Sequence, residues 1–299
     1  MRYRFLICDV FTDRRFGGNQ LAVLPQASGL SDAQMQQIAR EFNFSESTFV
    51  LPSTTCSRQV RIFTPVAELP FAGHPNVGTA FVLATIGELG EIGDAATVTF
   101  DEKAGRVPVR IQRQGTGFRC VLSAPEALSI GKAVDATLVA AAVSVSPSDI
   151  VTATHPPQVA SVGLPFVFAE VRDRAVLGRM KVNVAGFEAI GAQGVPPNVL
   201  YYTRCKDDFD VRARMFSPLD GVLEDPATGS ANCALGAMLC HYHDAGDGTF
   251  SRRIAQGVEM GRPSVLLAEA DKHGGQVVAA RIGGDSVLVC DGYITAQTG

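Results

Sequence analysis

The sequence predicts an α+β protein made of two similar halves, each a β-sheet with one apolar α-helix. The main observation is an internal echo: Arg-Ile-Phe-Thr-Pro at 61–65 returns as Arg-Met-Phe-Ser-Pro at 214–218, about half the chain later. A second observation is that an apolar helical stripe follows each copy. Repeats of this size indicate duplicated domains and not a solenoid. A chain of 299 residues is long enough for two domains.

Each copy of the echo precedes an acidic residue, Glu68 in the first half and Asp220 in the second, and then a turn-rich stretch at 71–75 or 224–230. An apolar stripe at helical spacing follows each turn. The first stripe comprises Val77, Ala80, Phe81 and Ala84, and the second comprises Ala231, Ala234, Leu235, Met238, Leu239 and Tyr242. We expect helices so rich in small and apolar residues to be well buried and wrapped by their sheets.

The other predicted elements are mostly strands. Ser31 and Gln34 form a capping box that predicts the start of a helix. Residues 134–144 are predicted as a helix, with a buried strand as the alternative. The predicted strands are 3–11, 47–52, 58–64, 95–100, 106–113, 117–123, 160–172, 198–203, 209–216, 276–282 and 286–290. The stretches 124–132 and 155–157 are candidate junctions.

Composition and charge exclude several classes of protein. Lysine and arginine number 26 and aspartate and glutamate 30, and this net charge of -4 argues against a nucleic-acid or anionic-membrane partner. The seven cysteines include no CxxC pair, which is typical of a reducing compartment and not of a disulfide framework. The apolar run at 5–8 is too short for a signal peptide, and no run of about 18 apolar residues predicts a membrane span. We therefore expect a soluble, cytoplasmic protein.

The starts of the two apolar helices are candidate binding sites. Gly73 and Gly229 let the backbone approach a ligand closely there, and a helix N-terminus carries N–H groups and partial positive charge that attract anions. Two such ends, related by a duplication, are predicted to face each other across a cleft and to bind a small carboxylate. The alternative is that these glycines and Ser230 are ordinary capping residues.

Glu46 is a candidate proton shuttle. It lies between a helix end and a strand, and its neighbours Phe42, Phe44 and Phe49 are expected to desolvate it. Desolvation raises the pKa of a carboxyl group toward the working pH, as a proton shuttle requires. The alternative is a solvated loop acid.

His74 and Asp225 lie at the two helix starts, where each is a candidate catalytic group or an ordinary capping residue. Without a GxSxG motif, Ser230 is not expected to be a hydrolase nucleophile. Phosphate-binding glycine loops are missing from the sequence, so no nucleotide cofactor is expected. Cys233, Cys240, His241 and His243 cluster near one helix, but no metal site is expected, because Cys233 and Cys240 are seven residues apart and zinc sites usually use closer pairs with a second knuckle.

Four motifs occur in order along the chain. They are Asp9-Val10-Phe11-Thr12 with Gly18-Asn19-Gln20-Leu21-Ala22-Val23, Phe44-Ser45-Glu46-Ser47, Phe71-Ala72-Gly73-His74-Pro75, and Asp225-Pro226-Ala227-Thr228-Gly229-Ser230-Ala231. Together they resemble the PhzF-like family, which takes its name from a phenazine-biosynthesis isomerase. The resemblance runs from residue 9 to at least residue 240, at family-like spacing.

This resemblance implies a diaminopimelate-epimerase-like fold, in which two pseudo-symmetric α+β domains each wrap a curved sheet around a central helix. It agrees with the echo, which was found independently. The C-terminal strand of such proteins returns to the first domain, so the expected domains are 1–125 with about 284–299, and 126–283. Members are commonly homodimers, and we expect the same here.

The resemblance also implies isomerisation of trans-2,3-dihydro-3-hydroxyanthranilate without a cofactor or metal. Glu46 matches the acid/base of the family, which takes a proton from C3 of the substrate and delivers it to another ring carbon. His74 and Asp225 match polar groups that hold the substrate and assist the transfer. The groups that cradle the substrate carboxylate are matched by Gly73, Gly229 and Ser230.

Two departures bear on the chemistry. Related racemases and epimerases use two cysteines, one at each helix start, and the corresponding positions here are Ala72 and Pro226, so a two-thiol mechanism is not expected. Gln20 stands where many members have proline, which concerns a turn. Three hypotheses follow: a PhzF-type isomerase, a related cofactor-free isomerase or epimerase acting on another small carboxylate, and a carboxylate-binding protein without turnover.

Overall fold

The computed structural model describes residues 1–244 and 246–296. The chain divides into two compact units. The first comprises Met1–Ser123 and the C-terminal segment that begins at Gly283, and the second comprises Ala124–Ile282. Each unit combines strands with helices, so the predicted α+β class is confirmed.

The first unit is a mixed sheet with two helices. Its elements in chain order are β1 (Arg2–Val10), β2 (Asn19–Leu24), α1 (Asp32–Phe42), β3 (Glu46–Leu51), β4 (Arg58–Phe63), β5 (Glu68–Leu69), α2 (Gly73–Thr85), β6 (Ala95–Glu102), β7 (Gly105–Gln114) and β8 (Gly117–Ser123). Parallel pairs join β2 to β3 and β4 to β6. The remaining pairs of the succession from β1 to β8 are antiparallel.

The helix α2 is the central helix of this unit because its side chains are nearly all small or apolar. Its residues from Gly73 to Ala84 are buried, and the helix packs against β1, β2, β7 and β8. The approach is close at Gly78, where a Cβ atom would lie 2.6 Å from side-chain atoms of both Leu21 and Val10. A glycine at this position lets the helix lie directly on the sheet.

The helix α1 covers the opposite face of strand β3. It begins at the predicted capping box, in which Gln34 N–H donates to the Ser31 hydroxyl and Ser31 N–H donates to the Gln34 side chain. Thr48 of β3 bonds Thr79 of α2 through their hydroxyls at 2.8 Å, whereas Phe49 belongs to the core cluster under α1. Successive strand residues face opposite sides of a sheet, so the two helices lie on opposite faces.

The second unit repeats this plan with more helices. Its elements are β9 (Ser129–Ala133), α3 (Ala136–Ala142), β10 (Ile150–Val151), β11 (Gln158–Ser161), β12 (Pro165–Val171), α4 (Arg174–Arg179), α5 (Val184–Gly191), β13 (Val199–Arg204), β14 (Val211–Ser217), β15 (Val222–Asp225), α6 (Gly229–His241), β16 (Gly248–Gln256) and β17 (Ser264–His273). Parallel pairs join β12 to β13 and β14 to β16. The pairs β9–β11, β10–β12, β11–β12, β13–β14, β14–β15 and β16–β17 are antiparallel.

The helix α6 is the counterpart of α2. Its residues from Ala231 to Cys240 are buried, and it packs against β11, β12, β16 and β17. At Gly236 a Cβ atom would lie 2.7 Å from the Cβ of Ala268 on β17. The three other helices of the unit, α3, α4 and α5, contribute to a separate apolar cluster. The two predicted apolar helices are therefore both present and buried.

The last strand, β18 (Gln276–Thr295), begins in the second unit and continues into the first, where it pairs antiparallel with β1. The sequence predicts two strands here, 276–282 and 286–290, whereas the structure has one strand that continues through Gly283 and Gly284. At Gly283 a Cβ atom would lie 2.8 Å from the carbonyl oxygen of Cys120. This glycine therefore permits a close approach of β8 and does not break the strand.

Each copy of the echo contains an arginine that forms an ion pair with a glutamate, and the pair has the same geometry in both units. Arg61 donates two hydrogen bonds of 2.8 Å to Glu68 and lies over the ring of Phe63. Arg214 donates two hydrogen bonds of 2.7 Å to Glu224 and lies over the ring of Phe216.

The acid that matches Glu68 is therefore Glu224 and not Asp220, which the sequence suggested. The second copy of the echo has a longer loop before its acid, and sequence distance alone does not reveal that insertion.

Several local predictions differ from the structure. The strand predicted at 160–172 is two strands, β11 and β12, separated by a turn at Gly163, whose φ of 141° lies in the left-handed region. The junction predicted at 124–132 contains most of β9, and the segment at 134–144 is helical, as α3. The sequence missed the short helices α4 and α5 and the long strands β16 and β17. None of the helices in the described part of the chain has the length and apolarity that a membrane span needs.

We expect Gly78→Ala to lower the free energy of unfolding by about 1–3 kcal/mol, because the added methyl group overpacks α2 against Leu21 and Val10. Urea unfolding measures the effect. Gly93→Ala is the matched control, since a Cβ atom there meets open space, and we expect a change within about 0.5 kcal/mol. Equal stability of the two variants would contradict the close approach.

Candidate functional site

The N-terminal turn of α2 carries the first set of predicted site residues. Gly73, His74 and Pro75 are its first three residues, and Ala72 is the N-cap. Ala72 supplies no side-chain hydrogen bond to the turn, since alanine has no polar side-chain atom. The turn therefore keeps the anion-attracting character of a helix N-terminus.

Glu46 lies beside this turn. It is the first residue of β3 and pairs with Leu21 of β2, and it shares with Thr48 the face of β3 that α2 covers. Its side chain is 16% exposed, and Oε2 lies 3.5 Å from Nδ1 of His74. The structure thus brings the predicted acid/base and the predicted assisting histidine together.

The prediction that Phe49 desolvates Glu46 is wrong. Phe49 packs edge-on against Phe63 in the core cluster under α1, on the opposite face of β3. Phe42 packs against that same cluster, and Phe44 stacks on Phe42 with ring centroids 6.0 Å apart. The partial burial of Glu46 comes from the side of α2. The strand alternation that separates these residues was visible in the sequence, but the sequence interpretation used proximity along the chain.

His74 is held as a neutral imidazole. Burial lowers its pKa to about 3, although a hydrogen bond with the backbone of Gln20 acts in the opposite direction. Its Nδ1 also lies 3.5 Å from the side-chain nitrogen of Asn19. Among the described residues, none bonds its Nε2. The contact with Glu46 is therefore a polar contact with a neutral ring and not an ion pair.

The N-terminal turn of α6 carries the second set. Asp225 ends β15 and accepts a hydrogen bond from the hydroxyl of Thr228, the N-cap residue. Gln256 donates to the carbonyl oxygen of Asp225 at 2.7 Å and accepts from the backbone N–H of Thr228 at 3.2 Å. Gly229 is buried and Ser230 is half-buried as the first residues of the helix. The side-chain hydroxyl of Thr228 thus bonds Asp225 and does not cap α6.

The structure corrects one match with the cysteine-dependent racemases. Ala72 and Thr228 are the N-cap residues of α2 and α6, each directly before the glycine that begins the helix. The position that corresponds to Ala72 is therefore Thr228 and not Pro226. Neither N-cap residue is a thiol, and Cys233 is buried inside α6 with its pKa raised by burial to about 12.

Two asparagines were missed by the sequence analysis. Asn76 donates from its side chain to the carbonyl oxygen of Ala72 at 2.9 Å, and Asn232 donates to that of Thr228 at 2.9 Å. Each stands three residues after the glycine that begins its helix, so an alignment of the two helix starts in the sequence shows the matching pair. Both asparagines are fully buried.

Within residues 1–244 and 246–296, no three His, Cys, Asp or Glu side chains lie together in a way that could hold a metal ion. The sequence cluster around Cys240 and His243 accordingly has no such geometry.

Comparison with known proteins identifies relatives over nearly the whole chain. The model of the PhzC-PhzF family, described as phenazine biosynthesis-like protein, matches residues 8–292. An isomerase of Mesorhizobium japonicum, named as uncharacterized, is 37% identical over 97% of this chain and 98% of its own length. A trans-2,3-dihydro-3-hydroxyanthranilate isomerase of Pseudomonas aeruginosa is 34% identical over 97% of this chain and 98% of its own length.

Solved structures share the fold. A phenazine biosynthesis protein of the PhzF family from Bacillus anthracis superposes with a TM-score of 0.91 at 26% identity, over 99% of this chain and 100% of its own. A hydroxyproline epimerase from Agrobacterium vitis, at 14% identity and a TM-score of 0.65, covers 98% of this chain and 91% of its own and shares the fold alone. The expected diaminopimelate-epimerase-like fold is confirmed.

The depressed pKa of His74 has a consequence for stability. The pKa of this imidazole is about 3 in the folded state and about 6.5 in the unfolded state. Between these pH values the imidazole is neutral in the folded protein and takes up a proton when the protein unfolds. Its contribution is therefore present above about pH 6.5 and is lost as the pH falls toward 3, by up to about 1.4 kcal/mol per pH unit.

We expect His74→Asn to show a shallower loss of unfolding free energy than the wild type between pH 6.5 and 5, measured by urea unfolding. The control is His273→Asn, whose side chain is 83% exposed in the wild type and which should keep the wild-type slope. An unchanged slope in His74→Asn would refute the neutral buried imidazole.

Proposed function

Because the chain belongs to the PhzC-PhzF family of phenazine biosynthesis-like proteins and is an isomerase of that type, we propose that it moves a proton within a small cyclic amino-acid-like carboxylate, with Glu46 as base and acid. The first candidate substrate is trans-2,3-dihydro-3-hydroxyanthranilate, after the name of the relative from Pseudomonas aeruginosa. The proposed reaction uses no cofactor or metal.

The proposed step conserves atoms and electrons. The Glu46 carboxylate takes the proton from C3 of the substrate, and the electrons of that C–H bond form a new ring double bond. The displaced double bond receives the proton from the Glu46 carboxylic acid at another ring carbon. A positioned acid/base of this kind accelerates a reaction by roughly 10²–10⁴-fold, and orientation of the substrate adds to this.

The single observation that carries this proposal is the geometry at the start of β3. The Glu46 carboxyl lies mostly out of solvent, beside the N-terminal turn of α2 and 3.5 Å from Nδ1 of His74. Since burial keeps His74 neutral, it does not hold Glu46 in a permanent ion pair. The imidazole then serves to orient the substrate or the carboxyl group, and Glu46 remains available for the proton.

We assign the binding of the substrate carboxylate to the helix starts. Gly73 and Gly229 begin α2 and α6, and the N-cap residue of neither helix caps it with its side chain. N–H groups of such a turn attract an anion, and the half-buried Ser230 offers a hydroxyl donor. Asp225, held by Thr228 and Gln256, is assigned to the substrate amino or hydroxyl group.

A second candidate is isomerisation or epimerisation of another small carboxylate by the same groups. The observation in its favour is that the relative of higher identity, at 37%, is named only as an isomerase, whereas the relative with a named substrate is 34% identical. A carboxylate-binding protein without turnover is the least favoured hypothesis, because both of these relatives are named isomerases.

We expect Glu46→Gln to lower kcat by at least about 10²-fold while leaving the fold and ligand binding intact, because the amide has the same shape but cannot take up the proton. Proton NMR with trans-2,3-dihydro-3-hydroxyanthranilate in D₂O measures conversion and deuterium incorporation. Glu41→Gln, on the exposed side of α1, is the matched control and should keep wild-type activity.

The outcomes separate the hypotheses. Conversion by the wild type and by Glu41→Gln, with loss in Glu46→Gln, supports both the substrate and the base. Broadening of substrate signals without conversion would favour another small carboxylate as substrate. Full activity of Glu46→Gln would overturn its assignment as the base.

We expect Ser230→Leu to raise KM, or the dissociation constant of a substrate analogue, by about tenfold or more, since a bulky apolar side chain replaces a hydroxyl donor at the start of α6. Isothermal titration or initial-rate kinetics measures the change. Ser251→Leu, on an exposed position of β16, is the control. Unchanged affinity in Ser230→Leu would remove this residue from the binding site.

A further inference from the structure

Strand β6 ends in a buried acid that the proposed reaction does not use. Glu102 is 8% exposed and lies on the same face of the strand as the buried Val98 and Phe100. The side-chain amide of Asn76, in the first turns of α2, interacts with its carboxyl group. Within residues 1–244 and 246–296, neither carboxyl oxygen has a hydrogen-bond partner of ordinary geometry. An acid in such a place requires an explanation, since burying an ionised carboxylate without partners is costly.

The second unit has a counterpart of Glu102. The strand β6 pairs in parallel with β4, which carries the first copy of the echo, and β16 pairs in parallel with β14, which carries the second. Each of these strands ends beside the asparagine of the neighbouring helix: Glu102 beside Asn76, and Gln256 beside Asn232. By topology and by partner, Gln256 is thus the residue that corresponds to Glu102.

Gln256 shows what a side chain at this position does. It accepts hydrogen bonds from the Asn232 side chain at 2.6 Å and from the Thr228 N–H at 3.2 Å. It donates to the carbonyl oxygen of Asp225 at 2.7 Å and to the Thr228 hydroxyl at 3.1 Å. A neutral amide does both, because it carries an acceptor oxygen and a donor nitrogen. A carboxylate can only accept, whereas a carboxylic acid also carries a donor.

We propose that Glu102 is held as a neutral carboxylic acid and, in that form, positions the N-terminal turn of α2 for substrate, as the amide of Gln256 positions that of α6. Glu102 acts through Asn76, whose side chain holds the carbonyl oxygen of the N-cap residue Ala72, and does not touch the substrate, so it is a positioning residue. The inference deepens the proposed function and, in its effect on turnover, rests on it.

The surroundings of Glu102 favour the neutral form. Burial raises the pKa of its carboxyl group to about 8, and the Asn76 amide acts in the opposite direction. The titratable groups on its own strand and on the neighbouring elements are Arg58 and Arg61 on β4, Glu68 on β5, His74 on α2, Asp101 on β6, Lys103 after β6, and Arg106, Arg110 and Arg113 on β7. None of these groups contributes to the shift.

Ionisation of Glu102 therefore has two consequences at alkaline pH. The carboxylate loses its donor, and a negative charge appears beneath the turn that is assigned to the substrate carboxylate. Both effects weaken substrate binding, so kcat/KM is expected to fall above about pH 8. The free energy of unfolding also falls as the pH rises. Because the pKa of Glu102 in the folded state lies above the unfolded value of about 4.5, its contribution to stability is present below pH 4.5 and is lost as the pH rises to about 8.

The first experiment compares thermal unfolding of the wild type, Glu102→Gln and Asp101→Asn between pH 5 and 9. The melting temperature of Glu102→Gln relative to the wild type should rise by about 3 °C or more from pH 5 to 8 and then level off. Asp101→Asn, on the adjacent and more exposed position of β6, should show no such trend. A difference between Glu102→Gln and wild type that does not change with pH would overturn the neutral acid. This experiment needs no substrate.

The second experiment measures the pH profile of kcat/KM with trans-2,3-dihydro-3-hydroxyanthranilate. Glu102→Ala should lose about tenfold or more at pH 7, and Glu102→Gln should recover at least a third of the wild-type value and lack the alkaline fall. A merely structural role would not move this profile. Equal loss in Gln and Ala variants, or an alkaline fall that persists in Glu102→Gln, would refute the positioning role.

The reciprocal change tests the correspondence of the two units. Gln256→Glu places an acid under α6. The melting temperature of this variant, relative to that of the wild type, should fall progressively as the pH rises, because the introduced carboxyl group ionises whereas the amide of Gln256 does not. A Gln256→Glu variant with the wild-type melting temperature at every pH would overturn the correspondence. If the wild type does not convert the probe, the substrate proposal fails while both melting experiments still decide the protonation of Glu102.

Discussion

Both units depend on one constraint, which is that an apolar helix lies directly on its own sheet. Close packing requires Gly78 in α2 and Gly236 in α6, where any larger side chain meets the sheet. Because each helix is buried almost from its first residue, the groups that hold its first turn are buried as well. Side-chain amides and acids from the ends of neighbouring strands hold these turns, and the N-cap side chains do not.

The same burial sets the charge state of the polar groups. In the first unit it lowers the pKa of His74 to about 3 and raises that of Glu102 to about 8, so both side chains are neutral between these two pH values. In the second unit the amide of Gln256, which does not ionise, holds the corresponding turn by hydrogen bonds. The two units therefore share a scaffold but differ in the partner of the acid: Glu46 lies beside the imidazole of His74 in the first, and Asp225 bonds Thr228 and Gln256 in the second.

Residues with local signals were predicted well. The capping box of α1, the two apolar helices and the repeated arginine of the echo depend on spacings of a few residues, which the sequence displays. Errors arose where the partner lies far along the chain or on the other face of a strand. Spacing alone pointed to Asp220, because the loop before the acid is longer in the second unit than in the first. Proximity in sequence pointed to Phe49 as a neighbour of Glu46, although strand alternation places the two on opposite faces.

The duplication, the two buried helices, the family motifs and the residue types at both helix starts can be predicted from the sequence, because they depend on local order and spacing. The contact of Glu46 with His74 at 3.5 Å and the correspondence of Glu102 with Gln256 emerge only in the folded protein. These relations arise from the pairing of strands distant in sequence and from burial. Burial is a property of the whole packed unit, and it sets the pKa of His74 and Glu102, which no short stretch of sequence encodes.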